Sequence, residues 1–369
     1  MKAVVLVGGE GTRLRPLTLT TPKPLLPIAN QPYLERQLDW LAAHGVDEVV
    51  LSMGYMPDAF HAHFGSDRGA DRFGDVLIRY AVEDEPLGTA GAIRYAADGI
   101  DERFVVCNSD ILTDLDLAAM VKFHDERGAE ATISLTQVAD PSAFGVVPTR
   151  PDGEVVAFVE KPAPGNAPTD WINAGTYVLE PAFLDRVPPR LNVSIERETF
   201  PRMLAEPRTL FGFAASGYWI DIGTPQTYLQ AHADVLQGRL STRPAPGARE
   251  LAEGVWVQGD VDIDDARVEA PVLLGAGSSV ARDAVVREAV LGPHAVVGAG
   301  ALVERAVLHA GARVESGATI VDSIVGAGAV CERDVSLRER SIVGAGVTVP
   351  TGTDLAEGRL PADEPASRV

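Results

Sequence analysis

The residues best suited to chemistry in this chain lie near its start. Gly8-Gly9-Glu10-Gly11-Thr12-Arg13-Leu14-Arg15-Pro16-Leu17-Thr18 is followed closely by Pro22-Lys23-Pro24-Leu25-Leu26-Pro27. Both come after the apolar run Ala3-Val4-Val5-Leu6-Val7, which reads as a buried parallel strand. Glycines at the end of such a strand let backbone N–H groups approach a ligand closely, and such groups bind anions well. Arg13, Arg15 and Lys23 gather positive charge locally in a chain whose net charge is −20, which points to an anionic ligand, polyphosphate first. Two common phosphate motifs are excluded. No Lys-Ser or Lys-Thr follows a glycine as a P-loop requires, and Leu14 stands where the dinucleotide fingerprint needs its third glycine.

The run resembles the signature of the sugar-nucleotide pyrophosphorylases, nucleotidyltransferases that act on sugar 1-phosphates. The likeness continues in order through Glu83-Asp84-Glu85-Pro86-Leu87-Gly88-Thr89-Ala90-Gly91, Asn108-Ser109-Asp110 and Phe144-Gly145-Val146-Val147. It goes on through Val159-Glu160-Lys161-Pro162, Ile172-Asn173-Ala174-Gly175, Ser194-Ile195-Glu196 and Gly217-Tyr218-Trp219-Ile220-Asp221-Ile222-Gly223-Thr224-Pro225. Within the family it looks most like the guanylyl branch acting on mannose 1-phosphate, which implies GTP as donor and GDP-mannose as product. A thymidylyl- or uridylyltransferase using glucose 1-phosphate is the alternative.

The implied reaction is attack by a sugar phosphate oxygen on the α-phosphorus of a nucleoside triphosphate, with release of pyrophosphate. Both partners are already ionised, so no protein base is needed, and the obstacle is the meeting of two polyanions. By resemblance Arg13, Lys23, Asp110 and Asp221 are catalytic. Lys23, stiffened by its flanking prolines, would touch the α-phosphate while Arg13 holds the leaving pyrophosphate. Asp110 and Asp221 would bind Mg²⁺, an ion suited by one or two carboxylates plus phosphate oxygens. Each aspartate alone would read as a turn or cap residue. Arg15 reads equally as a ligand or a solvated charge.

The nucleotide would lie on Gly8, Gly9, Gly11, Thr12, Arg13, Gly88 and Asp110, with Glu83 or Glu85 accepting the side-by-side N1–H and N2–H donors of guanine. Both glutamates read equally as solvent-facing loop charges. On the sugar side, Lys161 would neutralise the phosphate and Glu160 would accept from hydroxyls. Asn173 and the Gly145 backbone would complete that pocket, with Gly175 allowing close approach. An adjacent Glu-Lys pair is otherwise an ordinary surface pair.

These residues need elements to hold them. Val49–Ser52, Val76–Ala81, Phe104–Cys107 and Ala131–Gln137 read as strands; Pro32–His44, Gly88–Ala97, Leu117–Arg127 and Gln226–Gln237 read as helices. The alternation implies an α/β fold, a Rossmann-like, mostly parallel sheet over residues 1–237. Gly238–Glu250 carries turn residues, giving a linker over 238–252. Then Leu274-Gly-Ala-Gly, Leu291-Gly-Pro-His, Leu308-His-Ala-Gly and Val325-Gly-Ala-Gly recur every 17 residues, and Val343-Gly-Ala-Gly follows after 18. Aliphatic residues stand six apart within each unit, as in Leu274, Val280 and Val286. Short strands with one inward aliphatic residue each give a triangular parallel β-helix over 253–350, left-handed by resemblance to hexapeptide-repeat proteins. Residues 351–369 read as a flexible acidic tail. The repeat histidines His294 and His309 read as turn or surface residues.

The bulk properties agree with a globular enzyme of two domains. No apolar run approaches the ~20 residues of a membrane helix, and no secretion signal is read at the start. Cys107 and Cys331, far apart, read as reduced thiols in a cytoplasmic protein. The acidic balance argues against nucleic acid or membrane as partner. The β-helix suits a homo-oligomer contact or a regulatory surface. Two other classes, a coenzyme A-dependent hexapeptide acyltransferase and a silent nucleotide-sugar sensor, are disfavoured. The first lacks a recognisable acceptor histidine; the second is at odds with intact Arg13, Lys23, Asp110, Lys161 and Asp221.

Overall fold

The computed structural model describes residues 1–65, 72–206, 208–240, 242 and 244–361. Contacts divide the chain into two compact units, Met1–Gly9 with Leu34–Trp219 and Glu10–Tyr33 with Ile220–Val369. The signature loop therefore groups with the C-terminal half of the chain.

In the first unit β1 (Lys2–Leu6), β2 (Glu48–Met53), β3 (Val76–Val82) and β4 (Phe104–Asn108) are parallel. They lie in the order β3-β2-β1-β4. Ala3, Val4 and Val5 are fully buried, as a strand covered on both faces requires. Farther along are β5 (Ala131–Gln137), β6 (Gly145–Val146), β7 (Val159–Glu160), β8 (Trp171–Leu179) and β9 (Leu210–Ala214). β8 runs antiparallel to β4 and to β5. Strand order reverses at β1, which opens the crevice between β1 and β4 where doubly wound sheets bind ligands. The covering helices are α1 (Tyr33–Ala43), α2 (Pro57–Phe64), α3 (Gly88–Ala96) and α4 (Leu117–Arg127). The last begins where Asp116 accepts from Ala119 N–H at 2.9 Å and ends at a left-handed Gly128.

In the second unit α5 (Pro225–Leu236) opens on a capping box between Thr224 and Thr227. The repeats then stack as parallel coils whose register follows the six-residue spacing. Leu274, Leu291, Leu308, Val325 and Val343 form one column. Val280, Val297, Val314, Cys331 and Val349 form a second. Val286, Val303, Ile320, Leu337 and Leu355 form the third. This is a left-handed β-helix whose interior is almost wholly aliphatic, each buried side chain contributing about 1.5–3 kcal/mol. Paired strands also lie outside residues 253–350, as an antiparallel hairpin before the coil and as a further parallel turn after it. Ala248–Ala252, in the stretch read as linker, pairs with Val255–Gln258. Asp354–Ala356 and Arg359–Leu360, in the stretch read as tail, pair with the coil before them. Aliphatic Leu355 and Leu360 continue the columns without the Gly-Ala-Gly marker that made earlier turns visible. Residues 362–369 of that tail lie outside the described residues.

Both cysteines are free and buried, and desolvation pushes each thiol up to about 12. No helix among the described residues is long and apolar enough to cross a membrane.

His309 also departs from its expected surface place. It is 6% exposed and stands where the equivalent turns carry Gly275, Gly292, Gly326 and Gly344. Burial pushes its imidazole down to about 4 from 6.5, so the unfolded chain takes up this proton first as pH falls. The neutral ring's contribution is complete above pH 6.5 and is lost as pH falls to about 4, about 3 kcal/mol in all. Urea unfolding of wild type and His309→Gln across this window checks the sign. The stability gap between them should narrow by about that amount toward acid; a constant gap would contradict it.

Candidate active site

In the first unit the site residues leave the carboxyl ends of neighbouring strands. Gly8 and Gly9 follow β1 and are exposed, while Ser109 N–H donates to Leu6 O at 3.2 Å. Asp110 therefore emerges beside the glycines, half-buried. From α1, Gln37 Nε2 donates to Asn108 O at 3.0 Å and fixes the peptide before it.

Asn173 shapes the opposite wall. Its Nδ2 donates to Tyr177 Oη at 2.8 Å and its Oδ1 accepts from Gly175 N–H at 3.0 Å, across an irregularity in the pairing of β8 with β5. The Tyr177 phenol is pushed well above its usual value, first by burial and then by the negative charges of Glu196, Asp110 and Glu160. That field marks three carboxylates gathered round one buried hydroxyl. Glu160 pairs through its backbone with Gly145, and its Oε1 lies 3.7 Å from Lys161 Nζ. The Lys161 side chain is 60% exposed, so this contact is weak and the ammonium can turn to another anion.

Gly88 begins α3 beneath the Glu83–Leu87 loop. Both oxygens of Glu83 are engaged, Oε1 by Ser52 Oγ at 3.1 Å and Oε2 by Leu87 N–H at 2.9 Å. Glu83 thus holds its loop, and Glu85 is exposed. Glu196 accepts from Thr89 and Ser194 hydroxyls, both at 2.9 Å. Glu196, Thr89 and Tyr177 were not expected as site residues. The first two lie inside signature motifs, which was a usable signal, whereas Gln37 shows only helical spacing.

In the second unit the signature loop winds through three short 3₁₀ turns, Thr12–Leu14, Leu17–Leu19 and Lys23–Leu25. Gly11 precedes Thr12 with φ 62°, a conformation that favours glycine. A Cβ there would lie 3.0 Å from both Lys23 Cβ and Thr18 Cγ2, and Thr18 Oγ1 donates to Gly11 O at 3.0 Å. Gly11, Thr18 and Lys23 therefore interlock, and Lys23 is only 8% exposed. Arg15 pairs with Glu10 at 2.8 Å within the loop.

Arg13 and Asp221 meet at Gly223. Gly223 N–H donates to Asp221 Oδ1 at 2.6 Å. A Cβ on Gly223 would run into the Arg13 guanidinium and lie 2.7 Å from that same oxygen. The expected residues thus fall into two sets. Gly8, Gly9, Glu83, Glu85, Gly88, Asp110, Gly145, Glu160, Lys161, Asn173 and Gly175 belong to the first unit; Gly11, Thr12, Arg13, Lys23 and Asp221 belong to the second.

Residues 2–238 match the nucleotidyl transferase family, and residues 268–360 match the GMPPB C-terminal domain, ending where the last described coil ends. The chain is a nucleotidyltransferase. It is 41% identical to the mannose-1-phosphate guanylyltransferase of Mycobacterium tuberculosis, over 77% of this chain and 76% of that one. It is 40% identical to the mannose-1-phosphate guanyltransferase of Schizosaccharomyces pombe, over 70% and 71%. The chain belongs to the mannose-1-phosphate guanylyltransferase family. Among solved structures, HddC from Yersinia pseudotuberculosis superposes with a TM-score of 0.53 at 31% identity, covering 63% of this chain and 97% of that one. A structure of HddC complexed with GMP-PN superposes with the same TM-score of 0.53 at 31% identity.

Because nothing larger than hydrogen fits on Gly223 beside Arg13, Gly223→Ala should displace the guanidinium and cut turnover about 10-fold or more. Steady-state pyrophosphate release measures this. Unchanged turnover would remove the Arg13–Asp221 pair from the site.

Proposed function

We propose that the chain transfers the guanylyl group of GTP to mannose 1-phosphate, giving GDP-mannose and pyrophosphate. The observation that carries this reading is the 41% identity to a mannose-1-phosphate guanylyltransferase over 77% of the chain. A phosphate oxygen of the sugar bonds to the α-phosphorus as its bond to the bridging oxygen breaks, and pyrophosphate leaves with that electron pair. Lys23 offsets charge on the α-phosphate and Arg13 charge on the leaving group. Lys161 attracts the sugar phosphate. Glu160 accepts from sugar hydroxyls, and the amide proton of Asn173 not spent on Tyr177 is available to another hydroxyl. Gly8 and Gly9 offer backbone N–H groups to the nucleotide. Glu85 takes the guanine donors, since Glu83 is committed to Ser52 and Leu87.

Among the described residues no group of three or more His, Cys, Asp or Glu side chains forms a metal cage. Single carboxylates such as Asp110 and Asp221 fit Mg²⁺, which takes one or two of them and fills its shell with phosphate oxygens and water. Asp110 and Asp221 would hold the ion, whose charge would further neutralise the phosphates. The reading includes a cytoplasmic homo-oligomer assembled through the flat sides of the β-helix.

Pyrophosphate release from GTP, dTTP, UTP, ATP and CTP, each with mannose 1-phosphate and glucose 1-phosphate, tests the assignment. GTP with mannose 1-phosphate should give the highest kcat/KM, and Asp110→Asn should lower it about 10²-fold or more. Preference for dTTP with glucose 1-phosphate would overturn the guanylyl reading. Glu85→Gln should erode the preference for GTP over ATP about 10-fold or more, because one acceptor becomes a donor facing guanine. Selectivity left intact would return base reading to other groups.

A further inference from the structure

The Pro27 end of the signature loop is tied to α5 and to the coil. Tyr228 Oη donates to Pro27 O at 2.5 Å, and His309 Nε2 lies 3.1 Å from the same hydroxyl. A carbonyl has no proton to give, so the single phenolic proton goes to Pro27. His309 must then donate from Nε2–H to the Tyr228 oxygen, which fixes its tautomer. Pro27 is four residues beyond Lys23, and between them Leu26 N–H donates to Lys23 O at 3.1 Å. Beside this tie, Ala29 N–H donates to His232 Nδ1 at 3.1 Å, and Asn30 Nδ2 donates to Leu291 O at 2.8 Å. Turns elsewhere in the coil carry glycine at the place of His309, so this histidine is not needed to continue the repeat. Its side chain reaches out of the coil to α5 through a buried hydrogen bond.

We propose that His309 and Tyr228 are positioning residues for Lys23, through which the β-helix sets the geometry of the phosphate-handling loop. The inference rests on the reading of Lys23 as the α-phosphate ligand. Neither residue touches substrate. His309 holds the hydroxyl, the hydroxyl holds the Pro27 carbonyl, and that carbonyl anchors the turn from which Lys23 projects. The effect belongs to transfer itself and leaves binding of the sugar phosphate, made by first-unit residues, as it is.

The test compares full-length wild type with Tyr228→Phe, His309→Leu and His309→Gln. Glutamine can donate an N–H to the tyrosine oxygen where leucine cannot. Guanylyl transfer from GTP to mannose 1-phosphate is measured well below the melting temperature, alongside amide hydrogen exchange of the peptide spanning 23–29. Tyr228→Phe and His309→Leu are expected to lower kcat about 10-fold and raise exchange in that peptide, with KM for mannose 1-phosphate within twofold of wild type. His309→Gln should recover most of both losses. Variants that lose melting temperature yet keep wild-type kcat and exchange would overturn the proposal, as would a glutamine variant no better than leucine. If wild type turns over no GTP–sugar pair, the reaction is refuted, and exchange at 23–29 still decides whether the tie holds the loop.

Discussion

The interlock of Gly11, Thr18 and Lys23 is the constraint on which the shape of the signature loop depends. A lysine at 8% exposure has little freedom, and its position is set by backbone rather than by a choice among rotamers in water. Prolines on either side fix the chain entering and leaving it, and a left-handed glycine spares it a Cβ that would crowd it at 3.0 Å. A charge held in this way is organised in advance of any ligand.

Preorganisation needs a foundation, and the loop draws its own from the coil rather than from the strand that precedes it. Glu10–Tyr33 groups with Ile220–Val369, and Arg359 in the last coil donates to the carbonyls of Arg13 at 3.0 Å and Arg15 at 2.6 Å. A β-helix is a stiff foundation because each coil bonds to the next through short parallel ladders over an aliphatic interior. The repeat domain, which in sequence reads as an appendage for assembly, is also structural support for the signature loop.

Much of this was legible in the sequence because periodicity records burial. The strand at Ala131–Gln137 and the helix at Leu117–Arg127 have the bounds their patterns suggested, and the six-residue columns of the coil fall in the expected register. What escaped was set by partners distant along the chain. His309 looked like a turn residue because its neighbours are Ala and Gly; its burial comes from Tyr228, 81 positions away. Glu83 and Glu85 looked equivalent because what tells them apart is the folded placing of Ser52 and Leu87 against Glu83. The coil's last strands carry aliphatic residues but no glycine marker, so a pattern keyed on glycine stopped short of them.

Net charge illustrates the same separation of scales. At −20 the chain as a whole should repel a triphosphate, yet its loop brings Arg13, Arg15 and Lys23 within one short segment. Ionic screening limits the reach of exposed charges to about 8–10 Å at physiological salt, so distant surface carboxylates contribute little at the loop. Within that radius the balance is local. Glu10 neutralises Arg15, Asp221 lies beside Arg13 across Gly223, and Lys23 sits between prolines. The charge a ligand meets at this loop is therefore set by these local neighbours and not by the total carried by the chain.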